Sequence, residues 1–379
     1  MYFPLTEEQK MIKAMVEQFA RREVVPQAAK NDETGRFPDE LIEEMAGLGL
    51  LGMMVSSDYG GSQVGAVAYV LALMEIGYAC ASTAVTMSVT NLSAEPLANH
   101  GTEDQKQRLL MPLASGKELG AFALTEPGAG SNLSEIAARA VKKGKEYIIN
   151  GTKLFITNGS KAGVIIVLAR TGDGGGKGLT AFAVEKGAPG LVVGRKLEKM
   201  GLRASDTVEL LFEDCKVPEK NRIGKEGEGF KVVAQALDSG RIGIAAQATG
   251  MLAACLDLSR QYAQERRQFN KPLSGHQAIQ WMIADMAGDY EAARLMTLSA
   301  ASMKEQGMPF TKEASMAKLF ASEALNRAAY NALQVHGGYG FITEFPIERI
   351  YRDARVTTIY EGTSEVQRMV IAREELKKK

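Results

Sequence analysis

The sequence predicts an α+β protein with three successive domains: helical over residues 1–118, β over 119–225 and helical again over 226–379. Two observations predict this order. Apolar residues recur at helical spacing in the first and last regions, whereas the middle region has short β-branched and aromatic runs between glycine-rich turns. A chain of 379 residues also exceeds the roughly 250 to 300 residues that one hydrophobic core serves.

The first region carries two clear helix starts. Thr6 followed by Gln9 has the spacing of a capping box, and so has Thr102 followed by Gln105. Glycine and proline residues divide the rest of the region into helical stretches. These further helices are predicted over residues 39–50, 64–76 and 82–99.

The middle region reads as a compact β domain, with strands predicted over residues 146–150, 164–169, 180–185 and 208–212. The glycine-rich tract Gly172–Gly178 lacks the spacing of a phosphate-binding loop. We therefore expect it to be a flexible hairpin tip.

The last region is a predicted bundle of long helices over residues 230–267, 276–305, 311–335 and 364–379. Ser364 and Gln367 have the spacing of a capping box at the start of the final helix. Gly362 gives the preceding backbone freedom to turn. Glu361 would then project from a tight turn just before a helix.

The composition argues against polyanionic partners and metal chemistry. The chain has 45 basic and 45 acidic residues, so no net field attracts nucleic acid or an anionic membrane. Its three histidines and three cysteines are too scattered for a metal site. We expect Cys80, Cys215 and Cys255 to be core thiols in a reducing compartment.

No membrane segment or leader is expected. No apolar run approaches the roughly 20 residues of a membrane span, and Met1–Lys10 lacks the apolar core of a signal peptide. We therefore expect a cytoplasmic protein, or one of the mitochondrial matrix if the chain is a processed mature form. The motifs of serine hydrolases and of nicotinamide-binding folds are also missing, so any redox chemistry needs another cofactor.

Several other segments have an ordinary structural interpretation and a ligand-binding one. Leu124–Ser131 is either a turn or a glycine-rich approach to a flat ligand, and Phe155–Gly159 is either a core strand end or an aromatic surface. Gln334–Gly340 is a helix end or an anion-binding nest of amides. Arg266–Phe269 either complements a helix dipole or binds a pyrophosphate, and Asp238 with Arg241 has the spacing of a local ion pair.

Together these segments resemble the acyl-CoA dehydrogenase family, and the similarity runs over essentially the whole chain. It is carried, in family order, by LTEPGAGS, FITNG, DSGRIGIAAQA, ERRQF, QVHGGYGF and IYEGTSEVQR. The segment GRIGIAAQA is closest to the short-chain, butyryl-type branch. The resemblance implies a middle antiparallel β-barrel or sandwich and a C-terminal four-helix bundle.

The resemblance also implies a reaction. Family members bind FAD, convert an acyl-CoA thioester to its trans-2-enoyl-CoA and pass the electrons to electron-transfer flavoprotein. A carboxylate removes the α-proton while the β-hydrogen leaves as hydride to flavin N5, and Glu361 matches that base. Some relatives carry the base at the position that is Gly240 here, so no second carboxylate competes with Glu361.

By resemblance to the family, three groups of residues in this chain are expected to contact ligands. Those resembling the flavin cradle are Phe122, Leu124, Thr125, Gly130, Ser131, Phe155, Ile156 and Thr157. Those resembling the rest of the FAD site are Arg266, Gln268, Phe269, Gln277, Gln334, Gly337, Gly338, Thr363 and Glu365. Those resembling the substrate site are Ser131, Asp238, Arg241 and Gly362. Because some FAD contacts in the family come from a neighbouring subunit, a homotetramer built as a dimer of dimers is implied.

The sequence does not identify the acyl group of the substrate. Asn91 and Glu95 fall on the helix that lines the acyl pocket in relatives, and a buried carboxylate there would be costly unless paired. We expect Glu95 to face outward, with a branched, cyclic or polar acyl group as the alternative. An oxygen-using acyl-CoA oxidase and a non-catalytic scaffold are the other hypotheses.

Overall fold

A computed structural model of the chain describes residues 2–377, which begin with a helical region. Its helices are α1 (Glu7–Phe19), α2 (Val25–Thr34), α3 (Asp39–Gly47), α4 (Gly65–Ala79), α5 (Ala81–His100), α6 (Glu103–Gln105) and α7 (Met111–Ala114). Both predicted capping boxes are confirmed, because the Thr6 and Thr102 hydroxyls accept from the amides three residues later. Helices α4 and α5 are buried on nearly every side and form the centre of the fold.

The middle region forms one eight-stranded sheet. Its strands are β1 (Leu119–Ala123), β2 (Arg139–Lys143), β3 (Glu146–Thr157), β4 (Ala162–Arg170), β5 (Leu179–Glu185), β6 (Leu191–Lys196), β7 (Thr207–Pro218) and β8 (Arg222–Ile223). The order is β6-β7-β3-β2-β4-β5-β8, with β1 beside β4. Most neighbours are antiparallel, as predicted, but β4 pairs in parallel with β1 and β2. The β2–β3 hairpin lies between β1 and β4 in the chain and supplies the crossover that a parallel pair needs.

The tract that joins β4 to β5 is the predicted hairpin tip, since these two strands pair antiparallel through seven residues. The predicted core thiols are also confirmed: Cys80, Cys215 and Cys255 are free and buried.

The last region contains a short hairpin and five helices. These elements are β9 (Arg267–Gln268), β10 (Lys271–Pro272), α8 (Gly229–Glu265), α9 (Gln277–Glu305), α10 (Thr311–His336), α11 (Ile347–Ala354) and α12 (Ser364–Glu375). Among the described residues, one helix, α8, is long and apolar enough to cross a membrane by length and composition alone. Most of that apolar stretch is buried inside the protein, so α8 is the core helix of the bundle.

Helix α8 lies very close to α4. A Cβ built on Gly250 would lie 2.0 Å from the Met74 carbonyl oxygen, so only glycine allows this approach. The N-terminus of α8 meets the sheet instead, where a Cβ on Gly229 would lie 2.7 Å from the Leu179 carbonyl oxygen. Helix α8 therefore connects the β domain to both helical regions.

Candidate active site

The turn before α12 brings Glu361 against α8. Glu361 has φ +52° and Gly362 has φ +90°, so two successive residues adopt left-handed backbone. A Cβ built on Gly240 would lie 2.6 Å from Glu361 Oε2, and a larger residue there would displace the carboxylate. The glycine on α8 thus makes room for the carboxylate on the turn.

Three side chains hold this turn. Lys318 Nζ donates to the Gly362 carbonyl at 2.7 Å, and Gln367 Nε2 donates to the carbonyls of Glu361 and Gly362 at 3.1 and 2.9 Å. Tyr360 donates its hydroxyl to Gln247 Oε1 on α8 at 2.6 Å. A left-handed non-glycine residue is strained, and these contacts maintain it in a single conformation.

The cap of α12 differs from the prediction. Thr363 is the N-cap, and its hydroxyl accepts from the Val366 amide at 3.3 Å. The predicted cap is therefore wrong by one residue. The Gln367 side-chain amide donates to the carbonyls of the turn and its backbone amide donates to the Thr363 carbonyl, so the Ser364–Gln367 capping box does not form. The Ser364 hydroxyl is buried and has no hydrogen-bond partner among the described residues.

Two cations surround the Glu361 carboxylate. Burial raises its pKa, while the charges of Lys318 and Arg241 act in the opposite direction. Burial also lowers the pKa of Lys318 to about 8. A carboxylate with a raised pKa and positive charge nearby is suited to proton transfer as a base.

The predicted substrate pair Asp238 and Arg241 lies beside this turn. The two side chains form an ion pair, and both are mostly buried. Thr311 donates its hydroxyl to Asp238 Oδ2 at 2.6 Å, and Arg241 Nη1 lies 3.4 Å from the Ser315 hydroxyl. The start of α10 therefore fixes the pair relative to Glu361.

The two predicted flavin segments of the middle region lie side by side. The Leu154 amide donates to the Thr125 carbonyl at 2.9 Å, which joins the glycine-rich loop to the end of β3. Phe155 has φ +60° and is 63% exposed, while the next residue, Ile156, is buried. Gly130 and Ser131 are exposed on the same loop as Thr125. The loop and the strand end together form one accessible edge.

A buried ion pair that the sequence interpretation missed anchors this edge. Lys153 is fully buried and donates to Glu126 Oε1 at 2.7 Å and to the Leu124 carbonyl at 2.9 Å. Glu126 also accepts from the Ala137 amide at 2.7 Å. The available signal was a lysine directly before the apolar run Leu154–Ile156.

Asn158 ties the same edge to the helical core. It is fully buried, and its Nδ2 donates to the carbonyl of Gly120 at 3.1 Å and to that of Thr86 on α5 at 3.3 Å. The strand end is therefore positioned relative to the helix that passes beside Glu361.

Five of the other predicted FAD contacts line one cavity of about 560 Å³ at the far end of α8 and α10. They are Arg266, Gln268, Gln334, Gly337 and Gly338. The Arg266 guanidinium lies 5.6 Å from the Tyr339 ring centroid. Phe269, which is 88% exposed, and Gln277, the first residue of α9, are not among its lining residues.

The predicted FAD contacts form two groups in one chain rather than a single site. Gly240 lies on α8 and Arg266 is its C-cap, and their separation of 26 positions corresponds to about 39 Å at the rise of an α-helix. That distance exceeds the length of an extended flavin dinucleotide. Thr363, the N-cap of α12, and Glu365, in its first turn, follow Glu361 directly and are not among the residues that line the cavity.

The expectation that Glu95 faces outward is wrong. Glu95 is 7% exposed and forms an ion pair with Lys304 of α9, which also donates to the Ser239 hydroxyl. The lysine compensates the buried carboxylate, so exposure to water is unnecessary.

Asn91 has a structural role. It is 2% exposed, and its Nδ2 donates to the Leu50 carbonyl at 2.9 Å while its Oδ1 accepts from the Met53 amide at 3.1 Å. These bonds tie α5 to the segment after α3.

Three family models match the chain in order. They are described as the N-terminal, middle and C-terminal domains of acyl-CoA dehydrogenase, and they match residues 6–117, 121–215 and 227–376. Together they cover most of the chain.

Full-length relatives and solved structures agree. The chain is 46% identical to an acryloyl-CoA reductase (NADH) of Anaerotignum propionicum, over 100% of this chain and 97% of the relative. Butyryl-CoA dehydrogenase from Megasphaera elsdenii superposes with a TM-score of 0.97 at 42% identity, covering 100% of both chains. A chain described with the electron transferring flavoprotein of Acidaminococcus fermentans superposes with a TM-score of 0.98 at 43% identity, again over 100% of both.

Proposed function

The chain belongs to the acyl-CoA dehydrogenase family, and from this premise we propose that it oxidises a short or compact acyl-CoA to the trans-2-enoyl-CoA with FAD as cofactor. The observation that carries the proposal is the strained turn that holds the Glu361 carboxylate against Gly240. A carboxylate maintained in such a conformation beside two cations is suited to proton transfer.

In the proposed reaction Glu361 removes the proton from the carbon next to the thioester carbonyl. The charges of Lys318 and Arg241 favour the ionised carboxylate that a base requires. A backbone amide beside Glu361 stabilises the negative charge that develops on the thioester oxygen. FAD, when bound, would supply the acceptor for the hydride that leaves the β-carbon with both electrons of the broken C–H bond.

The residues at the two predicted FAD groups fit that cofactor. The accessible edge at Phe155 and Thr157 offers an aromatic ring and a hydroxyl to a flat ring system. The cavity at Arg266 offers a guanidinium and exposed glycine backbone to a pyrophosphate. The remaining proposed cofactor contacts are Phe122, Leu124, Thr125, Gly130, Ser131, Ile156, Gln268, Phe269, Gln277, Gln334, Gly337, Gly338, Thr363 and Glu365.

We also propose that two copies of the chain share each FAD. One copy would hold the flavin near Glu361, and the cavity of a second copy would hold the distal part, since about 39 Å of α8 separates the two groups within a chain. A dimer is then the smallest functional unit, and a tetramer of two such dimers satisfies closed symmetry.

For electron transfer we propose electron-transfer flavoprotein as the acceptor, in the cytoplasm or the mitochondrial matrix. The similarity to the Acidaminococcus fermentans chain supports this partner. Ser131, Asp238, Arg241 and Gly362 are the proposed contacts to the acyl-CoA.

A second candidate is the reverse reaction, the reduction of a short enoyl-CoA. The 46% identity to the acryloyl-CoA reductase of Anaerotignum propionicum favours it. Chemically reduced holoenzyme would then regain its flavin colour when acryloyl-CoA or crotonyl-CoA is added without oxygen.

The proposed function is tested by anaerobic titration of the holoenzyme with a panel of thioesters. The panel contains butyryl-, hexanoyl-, octanoyl-, isobutyryl-, cyclohexanecarbonyl- and glutaryl-CoA. We expect the visible flavin band to bleach with at least one short or compact acyl-CoA, and the electrons to pass to electron-transfer flavoprotein. Rapid peroxide formation in air without that acceptor would identify an oxidase instead, and a colourless protein with no affinity for FAD would contradict the proposal.

A further inference from the structure

The contacts of Gly240 on α8 indicate where the reacting end of an acyl group would lie. A Cβ built on Gly240 would lie 2.6 Å from Glu361 Oε2 and 3.4 Å from Leu92 Cδ1 of α5. An acyl α-carbon that gives its proton to Glu361 therefore lies near Gly240 and Leu92.

One turn further along α8, two hydroxyls face the helix. A Cβ built on Gly243 would lie 2.6 Å from the Ser88 hydroxyl oxygen and 2.9 Å from that of Tyr69. The same Cβ would lie 3.7 Å from Leu73 Cδ2. Tyr69 donates its hydroxyl to Ser88 at 3.4 Å, which ties α4 to α5 beside Gly243.

Tyr69 cannot easily move away from this position. Its side chain belongs to the main hydrophobic core and is 3% exposed, while Leu73 and Ser88 beside it are 0% and 2% exposed. Protein interiors are close-packed, so the ring has no alternative space without displacing its neighbours.

The opposite direction along α8 is closed to an apolar chain. There the buried ion pair of Glu95 and Lys304 lies against Ser239, the residue before Gly240. An alkyl chain placed against this pair would bury charged groups next to hydrocarbon, which is unfavourable. The alkyl tail of a substrate is therefore directed from Glu361 toward Tyr69 and Ser88.

We propose that the Tyr69–Ser88 hydroxyl pair is the end wall of the acyl pocket and that Tyr69 determines the acyl chain length. The inference rests on the proposed function, because it takes Glu361 as the point from which the chain extends. From Gly240 to Gly243 the helix rises about 4.5 Å. Carbon–carbon bonds of about 1.5 Å in a zigzag fill that rise with roughly two or three carbons beyond the α-carbon, as in butyryl or pentanoyl groups.

The pKa of the Tyr69 hydroxyl reflects its burial near the carboxylates of Glu95 and Glu361. Its pKa is raised mainly by burial, and further by the negative charges of Glu95 and Glu361. The hydroxyl therefore stays protonated at neutral pH and presents a neutral end wall to the substrate.

Binding of unreactive S-alkyl-CoA thioethers tests the end wall without turnover. Calorimetry with S-butyl-CoA and S-octyl-CoA would be performed on the wild-type holoenzyme and on Tyr69→Leu and Gly243→Ala. Tyr69→Leu keeps an apolar side chain in the core but removes the hydroxyl and the outer part of the ring. The matched control is Tyr78→Leu, another tyrosine of α4, whose hydroxyl bonds to Asp257 instead.

We expect wild type to bind S-butyl-CoA at least tenfold more tightly than S-octyl-CoA, since a pocket discriminates about tenfold or more for each group it cannot accommodate. Tyr69→Leu should reduce that preference about tenfold. Gly243→Ala should weaken S-butyl-CoA binding because its methyl group meets both hydroxyls, and Tyr78→Leu should keep the wild-type ratio.

The proposal is overturned if folded Tyr69→Leu, with a wild-type circular dichroism spectrum, keeps the wild-type ratio. Should that variant fail to fold, Gly243→Ala decides: undiminished S-butyl-CoA binding by it contradicts the end wall. Failure of the proposed function would give a different result. Wild type would then bind S-butyl-CoA selectively, but butyryl-CoA would not bleach its flavin.

Discussion

Lys318 Nζ donates a 2.7 Å hydrogen bond to the carbonyl oxygen of Gly362 and so ties the first half of α10 to the turn that carries Glu361. Lys318 is fully buried, and its positive charge acts on Glu361. One side chain thus supports both the conformation of the turn and the ionisation of its carboxylate. The following predictions start from this relationship.

Replacing Glu361 with glutamine should abolish the reaction but preserve the fold. The amide has the size of the carboxylate but cannot accept the α-proton, so we expect kcat to fall by about 10² to 10⁴. FAD content and the thermal unfolding midpoint should stay near wild type. Full flavin bleaching by Glu361→Gln would show that another group is the base, and Glu375→Gln at the exposed end of α12 is the control.

Replacing Lys318 with methionine should raise the pKa of Glu361 further, because one of its two nearby cations is lost. A base works only when deprotonated, so the acid limb of the kcat/KM profile should move to higher pH. The rate should fall several-fold at pH 6 and much less at pH 9. The Gly362 carbonyl keeps its bond from Gln367, so the turn should persist.

Lys153→Met is the matched control for this charge effect. Lys153 is also fully buried, and burial lowers its pKa to about 8, but it lies in the β domain beside Glu126. Its replacement should leave the acid limb unchanged in whatever enzyme remains folded. An equal shift in both variants would assign the effect to general destabilisation.

Mixing two inactive variants should restore activity if two chains share each FAD. In a hybrid of Glu361→Gln and Arg266→Ala subunits, one site combines both changes and the other combines neither. The two variants would be co-expressed with different affinity tags, and the hybrid would be purified on both tags in turn. Its activity and flavin content then test the prediction. Were each FAD held by a single chain, every site would carry one change and no activity would return.

Removing one partner of the Glu95–Lys304 pair should destabilise the protein strongly. Glu95→Gln leaves a mostly buried cation without its anion, at a cost of about 3 to 5 kcal/mol of unfolding free energy. The double variant Glu95→Met/Lys304→Met should recover most of that loss. Urea unfolding of Glu95→Met, Lys304→Met and the double variant at one protein concentration measures the coupling energy, and additive losses would show that the pair contributes nothing.

Asp353 should make stability depend on pH. Burial raises its pKa from 3.8 to about 7, so between these values the folded state holds a proton that the unfolded state has released. Stability from this group therefore falls as pH rises from about 4 to 7, by up to about 4 kcal/mol. Asp353→Asn, which keeps an acceptor for the Leu202 amide, should lose this dependence.

Unfolding midpoints of wild type and Asp353→Asn at several pH values between 4 and 8 test this expectation. The variant should gain stability relative to wild type as pH rises. A constant difference across the range would mean that Asp353 titrates with its ordinary pKa.

The sequence was sufficient for the features that depend on local pattern. The three regions, the capped starts at Thr6 and Thr102 and the buried cysteines follow from periodicity, spacing and composition. The motif around Glu361 identified the family, which the comparisons confirm. The local pattern predicted the wrong cap at Ser364, because the Gln367 side chain bonds to the carbonyls of the turn five and six residues before it.

The sequence by itself thus determined the order of the domains, the family and the candidate base, since each is written in contiguous residues. Only the tertiary structure decided what surrounds that base: Lys318 from α10, Gly240 from α8, and the pairing of Glu95 with Lys304. These partners are far apart in the chain, and no spacing rule relates them. Packing brings them together, because burying the apolar faces of α4, α5, α8 and α10 also fixes which polar groups must compensate one another.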